Sequence, residues 1–338
     1  MGTKADRENV WVDLVKICCV FVVVAAHCSF FDRVYLRWIT HLVRCCIQML
    51  FIFSGYYVAK GGVLADRDKF QKYVKHLVIM LCIWLLIYIA YGMYHADKSQ
   101  PLWFFTYLQV ELENFCSLDS GHMWYIQNLI LAVLLLYALK KIRFSLWELL
   151  LLFAVIIIFG SRLDRALCGV AFGVYFAQIQ DKDKIPDEQM GNPGSENEKI
   201  YQKAWFLITA GVLALVVTAV LHYVGRDLPQ DGIFKIVNRF FMNFAAIVLC
   251  QAVLKLKKTS VRIGQTGYYI RKSSTCVYLA HMLFLQWGIT LASRYAAWGE
   301  GKLCIWCCGF VILFSVAFSV VLIWLSRYKW FSWLKLLY

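Results

Sequence analysis

Apolar runs near the length of a bilayer span recur along this chain, separated by short polar links. About 20 apolar residues in helical conformation cross the hydrocarbon core. In lipid a helix also satisfies its own backbone hydrogen bonds. The pattern predicts ten transmembrane helices, at 11–30, 39–59, 74–94, 122–139, 145–160, 164–180, 203–224, 236–255, 274–293 and 303–326. The sixth, LDRALCGVAFGVYFAQIQ, is short and carries glycines. Segment 101–115, PLWFFTYLQVELENF, is shorter still and holds Glu111 and Glu113, which suits a re-entrant or interfacial helix. The plainly polar stretch is 181–199, with two prolines and two glycines, and it reads as a flexible cytoplasmic loop.

The expected fold class is therefore all-α: a polytopic integral membrane protein forming one domain over 1–338, with no internal repeat and no further domain expected after the last span. The first apolar run is too long, and lacks the small-residue site, for a cleavable signal peptide. A hydrophobic content of 61% excludes an ordinary soluble domain.

Charge changes the picture by its placement. A net charge of +14 would suit a nucleic-acid partner, but Lys and Arg collect on the cytoplasmic links of membrane proteins. With the amino terminus inside, inside segments carry 23 Lys and Arg and outside segments 11, with Lys16 uncounted. That bias predicts both termini in the cytoplasm and no nucleic-acid partner. The 13 cysteines lie mostly within apolar spans, as at Cys18, Cys19, Cys45, Cys46 and Cys250, and none forms a CxxC pair with metal-ligand spacing. Cysteine there acts as a small hydrophobe, so neither a metal nor a redox role is expected.

Chemistry enters with DLVKICCVFVVVAAH, residues 13–27, which sets Asp13, Lys16 and His27 within the first span. Lys16 and His27 are eleven residues apart, about three helical turns, so they share a stripe and are separated by roughly 16 Å along the axis. Asp13 lies on the same side, one turn below Lys16. Ionisable groups inside a span usually face the bundle interior or a wet cavity. Lys16 also suits a snorkelling position at the interface.

Arg44, about a turn inside span two, suits either a headgroup anchor or a polar pocket. Ser54–Gly55 suits either a helix bend or a tight packing contact. Lys72 and Lys75, one turn apart before span three, suit phosphate oxygens of a ligand and equally anionic lipid headgroups. His122 and Trp124 open span four at the outer interface, where Trp is common. Ser274, Tyr278 and His281 fall in SSTCVYLAHMLFL, which places a second histidine within a span.

Taken together, these residues resemble the membrane acyltransferase-3 family. Arg7, Asp13, Lys16 and His27 match its opening signature, a basic residue and a histidine with ten residues between. SGYYV at 54–58, HMWYI at 122–126 and S-x-x-x-Y-L-x-H at 274–281 fall where that family has its SGF-like, HLWFL-like and SYxxYLLH-like motifs. The chain departs from the family where an arginine pair usually precedes span three: Lys72 and Lys75 keep the charge but not the bidentate geometry. The resemblance implies acyl transfer, usually of acetyl from acetyl-CoA as donor, to a hydroxyl of a cell-envelope glycan or small molecule, in the bacterial cytoplasmic membrane.

On that reading His27 is the base, since its ordinary pKa near 6.5 suits removal of a hydroxyl proton. Lys16 and Asp13 balance charge or orient the stripe, Lys72 and Lys75 bind CoA phosphates, and Ser274, Tyr278 and His281 line the cavity. HCSFF, SGYYV and HMWYI are also similar to the membrane half of vancomycin-resistance serine racemases. That resemblance implies a transport module for serine or another small amino acid, in which His27 and Lys16 bind a carboxylate.

Overall fold

The computed structural model describes residues 10–28, 37–95, 105, 108–110, 113, 123–140, 143–182, 193–224, 232–256, 264–294 and 300–338. Every extended element among them is helical. In chain order these are α1 (Val10–Cys28), α2 (Arg37–Lys60), α3 (Arg67–His95), α4 (Trp124–Ala138), α5 (Leu146–Ile158), α6 (Arg162–Lys182), α7 (Pro193–Val224), α8 (Ile233–Lys255), α9 (Gly264–Ser293) and α10 (Glu300–Leu325). A 3-10 helix, Lys329–Leu337, follows α10.

Six of these helices, α1, α2, α3, α7, α8 and α10, are long and apolar enough to cross a membrane. α4 and α5 are apolar but shorter. α6 and α9 match the sixth and ninth expected spans in position, but they are less apolar than those six. The protein is thus an all-helical, multi-pass membrane protein. The segment expected at 101–115 falls largely outside the described residues. The polar stretch 181–199 is trimmed from both sides: Asp181 and Lys182 close α6, and α7 begins at Pro193.

Local chemistry sets the turns. Ser145 and Glu148 form a reciprocal capping box at the start of α5, with Ser145 Oγ accepting from the Glu148 N–H and Glu148 Oε2 accepting from the Ser145 N–H at 2.7 Å. Ser161 and Asp164 exchange the same pair of bonds, at 3.1 Å each, where α6 begins. Between α5 and α6 the chain reverses at Gly160, whose φ of +63° costs glycine little.

Helices α1 and α2 occupy the middle. α2 packs on α1, α6 and α8, while α1 also lies along α9 and α10. The α2–α6 contact is closed by small residues. A Cβ on Gly55 would strike the Val170 carbonyl oxygen, and one on Gly173 would strike the Ile52 carbonyl oxygen. Gly55 is therefore a packing residue, the second of its two expected roles. On the other side, Tyr88 donates to the Leu279 carbonyl and Trp84 Nε1 to the Leu337 carbonyl at 3.1 Å. These bonds tie α3 to α9 and to the 3-10 helix.

Candidate active site

α1 and α9 run side by side in the same direction, and the ionisable residues of the bundle's centre lie along their contact. At the end where both begin, Asp13 is 3% exposed, and its Oδ2 accepts from Arg271 Nε at 3.2 Å. The expected partner, Lys16, instead places its ammonium over the Tyr57 ring, 5.7 Å from the centroid. It remains within electrostatic range of Asp13 and Lys272. A buried carboxylate needs a cation and hydrogen bonds to offset its desolvation, and Arg271 supplies both.

Toward the other end, His27 on α1 meets His281 on α9 with ring centroids 5.1 Å apart. The two rings differ in access. His27 is open to the surface, whereas His281 is fully enclosed and its Nδ1 lies 2.6 Å from the Tyr278 carbonyl of its own helix. A chain of aromatic rings leads away from the pair. Tyr278 is 6.0 Å from His281, Tyr125 is 5.3 Å from Tyr278, and Phe51 is 4.5 Å from Tyr125. Tyr125 Oη is 2.9 Å from Ser54 Oγ, which gives Ser54 a role separate from that of its glycine neighbour.

The structure therefore brings together His27, His281 and Tyr278, with Asp13 and Lys16 farther along the same helix contact. Ser274 is buried at their side, but its hydroxyl donates to the Arg271 carbonyl at 2.8 Å, a bond within its own helix. Trp124 lies apart from the histidines beneath two arginines, Arg162 at 5.1 Å and Arg165 at 5.9 Å from its ring. It is half-buried against protein, so it is more than a headgroup anchor. Arg44 lines a recess with Arg165 and Arg239 at the end of the bundle where α2 begins, the pocket alternative of its two expected roles. Lys72 and Lys75 are exposed on the first turns of α3, at the opposite end. His122 falls outside the described residues.

Arg271 is the residue that sequence reading missed. Charge bias groups it with the cytoplasmic cations, yet Arg271, Ser274, Tyr278 and His281 follow the i, i+3, i+7, i+10 spacing of one helix face. Extending the ninth span backward by one turn would have exposed that stripe. Among the described residues no group of three or more His, Cys, Asp or Glu could hold a metal ion, and the described cysteines form no disulfide.

Comparison with curated proteins and with solved structures returns no match. The family described as an acyltransferase domain matches residues 9–324, nearly the full length and every element that carries the histidine pair. The chain belongs to the acyltransferase-3 family of membrane acyltransferases.

Proposed function

We propose that this protein is an O-acyltransferase that moves an acyl group, acetyl in the simplest case, from cytoplasmic acyl-CoA to a hydroxyl of a cell-envelope glycan or small molecule, in the cytoplasmic membrane of a bacterium. The observation that carries this reading is the pairing of accessible His27 with enclosed His281. In the reaction His27 removes the acceptor hydroxyl proton as the oxygen attacks the thioester carbonyl carbon. The carbon–sulfur bond then breaks, and the proton passes to the departing CoA thiolate, leaving an ester and free CoA. General base catalysis of this kind is worth about 10²–10⁴ in rate. His281 lies against His27 and positions it. Lys72 and Lys75 offer point charges to the CoA phosphates. The donor's thioester arm then runs along the α1 stripe, which spans roughly 16 Å from Lys16 to His27.

Calorimetry with acetyl-CoA on the purified protein tests this first. Binding should weaken in Lys72→Ala/Lys75→Ala and survive in His27→Ala, while acyl transfer is lost in the latter. Absence of acetyl-CoA binding to the wild type, with a thermal shift on adding L-serine, would replace the acyltransferase by an amino-acid transport module.

A further inference from the structure

At the end of the bundle where α2 begins, an open recess is lined by Arg44, Arg165, Lys235 and Arg239 together with Asn238 and Asn243 and, among the described residues, by no carboxylate. Arg162 lies within electrostatic range of Arg165 as well. The carboxylate that acts on Arg165 is Asp164, and its Oδ2 is engaged by the Ser161 N–H. Like charges gathered in one half-buried place repel one another, and an anion relieves that cost.

Part of this cluster has a structural task. Arg239 Nη1 donates to the Ile157 and Ile158 carbonyls at 3.1 and 2.8 Å. Arg165 reaches the Gly160 and Ser161 carbonyls at 3.3 and 3.4 Å. A cation on the last carbonyls of a helix is ordinary end-capping, which Arg239 provides for α5, while Arg165 holds the turn between α5 and α6. Arg44 does none of this work, since it makes no hydrogen bond or ion pair among the described residues. Asn238 Oδ1 is buried in the same lining without a partner. These backbone contacts therefore explain Arg239 and Arg165 and leave Arg44 and the Asn238 carbonyl oxygen facing a shared space.

We propose that this recess is an oxyanion site that holds a phosphate group carried by the acceptor. The proposal rests on the acyltransferase reading above and narrows its acceptor to a phosphate-bearing hydroxyl compound. A phosphate presents more oxygens than a carboxylate, and several guanidinium forks arranged around one space match that number. Asn238 Oδ1 accepts from a hydroxyl next to the phosphate. The site also communicates with the histidines. Arg162 and Arg165 stack on Trp124, which is 6.2 Å from Phe51, and Arg162 lies within electrostatic range of Tyr278, the neighbour of His281. An acceptor anchored by its phosphate here extends a second hydroxyl toward His27. Two sources present this chemistry, a soluble phosphorylated sugar or polyol and the headgroup of a phospholipid.

The test uses the full chain in a neutral detergent, with sn-glycerol 3-phosphate as probe, glycerol and glucuronate as controls, and acetyl-CoA binding measured in parallel. Wild type should bind glycerol phosphate and ignore glycerol. Arg44→Gln should weaken that binding by about 10- to 100-fold, as loss of one charge-assisted hydrogen bond predicts. Arg44→Lys should recover part of it, and acetyl-CoA affinity should stay as in wild type. Binding to nanodiscs containing phosphatidylglycerol, lost in Arg44→Gln while glycerol phosphate fails to bind, upholds the site and assigns it to a lipid headgroup. The proposal is overturned if neither phosphate source binds, if glucuronate competes equally well, or if binding resists Arg44→Gln and falls in Lys72→Ala/Lys75→Ala. Should acetyl-CoA fail to bind while the phosphate probe binds through Arg44, the acyltransferase reading falls and the anion site stands.

Discussion

His27 and His281 are similar side chains in dissimilar surroundings, and that difference sets what each can do. A base must reach its substrate, and His27 is the ring open to the surface. Replacing His27 by Ala should lower acyl-transfer turnover by about 10²–10⁴ while leaving acetyl-CoA affinity intact, as measured by product formation at saturating donor. His281→Ala should lower turnover less, and His281→Asn should recover part of the loss, because an amide can also meet the Tyr278 carbonyl. Equal loss in both histidine variants would contradict the division of roles. The Asp13–Arg271 pair calls for a different measurement. Asp13→Ala strands the arginine and should destabilise the protein toward the lower end of the roughly 3–5 kcal/mol seen for broken buried pairs, since Arg271 keeps 27% of its side chain exposed. Asp13→Leu combined with Arg271→Met should unfold at a higher temperature than Asp13→Ala alone. The sequence made the importance of Asp13 legible, because a carboxylate in an apolar run needs a partner. It did not reveal which cation served, because Lys16 is one turn away in sequence and Arg271 is 258 residues away.

At the scale of elements, the α2–α6 contact depends on residues whose side chains are absent. Gly55 and Gly173 let two helix backbones approach closely in a place without a hydrophobic driving force between helices, where close packing supplies the attraction. Gly173→Val should cost about 1–3 kcal/mol or more, because its Cβ meets the fixed Ile52 carbonyl oxygen rather than a flexible side chain. The check is thermal unfolding in detergent beside Gly309→Val, whose Cβ meets nothing within 4 Å and which should be close to neutral. Equal destabilisation in the two would mean that helix propensity, not the seam, sets the cost. Hydropathy found the long apolar helices readily, since length and composition are local properties. It also placed α6 and α9, but started the ninth span at 274, whereas α9 begins at Gly264 and carries Arg271 inside it. Pairing of helices is not written in any one segment: a glycine in a span looks the same whether it bends a helix or receives a neighbour.

The whole molecule separates two groups of cations. Lys72 and Lys75 lie at the end of the bundle where α3 begins, and Arg44, Arg165, Lys235 and Arg239 at the other. Charge bias orients membrane proteins by keeping Lys and Arg inside, so a cationic group on the outer side stands against that tendency and needs a reason of its own. In the orientation drawn from the 23-to-11 distribution, Lys72 and Lys75 face the cytoplasm, while four of the 11 outside cations (Arg44, Arg165, Lys235 and Arg239) line one recess. On the proposed reading the donor would enter from one side and the acceptor from the other, with the histidine pair between them. A membrane-impermeant thiol reagent tests this arrangement on the intact protein, once Cys18 and Cys82, exposed among the described residues, and Cys116, which lies outside them, are replaced by Ala. Lys72→Cys should be labelled in inside-out vesicles and protected in right-side-out ones, and Lys235→Cys should show the reverse. Labelling of both positions from one face would remove the two-sided route. The opposite polarity would place the recess in the cytoplasm, where ordinary charge bias accounts for its cations and the acceptor would have to be a cytoplasmic compound.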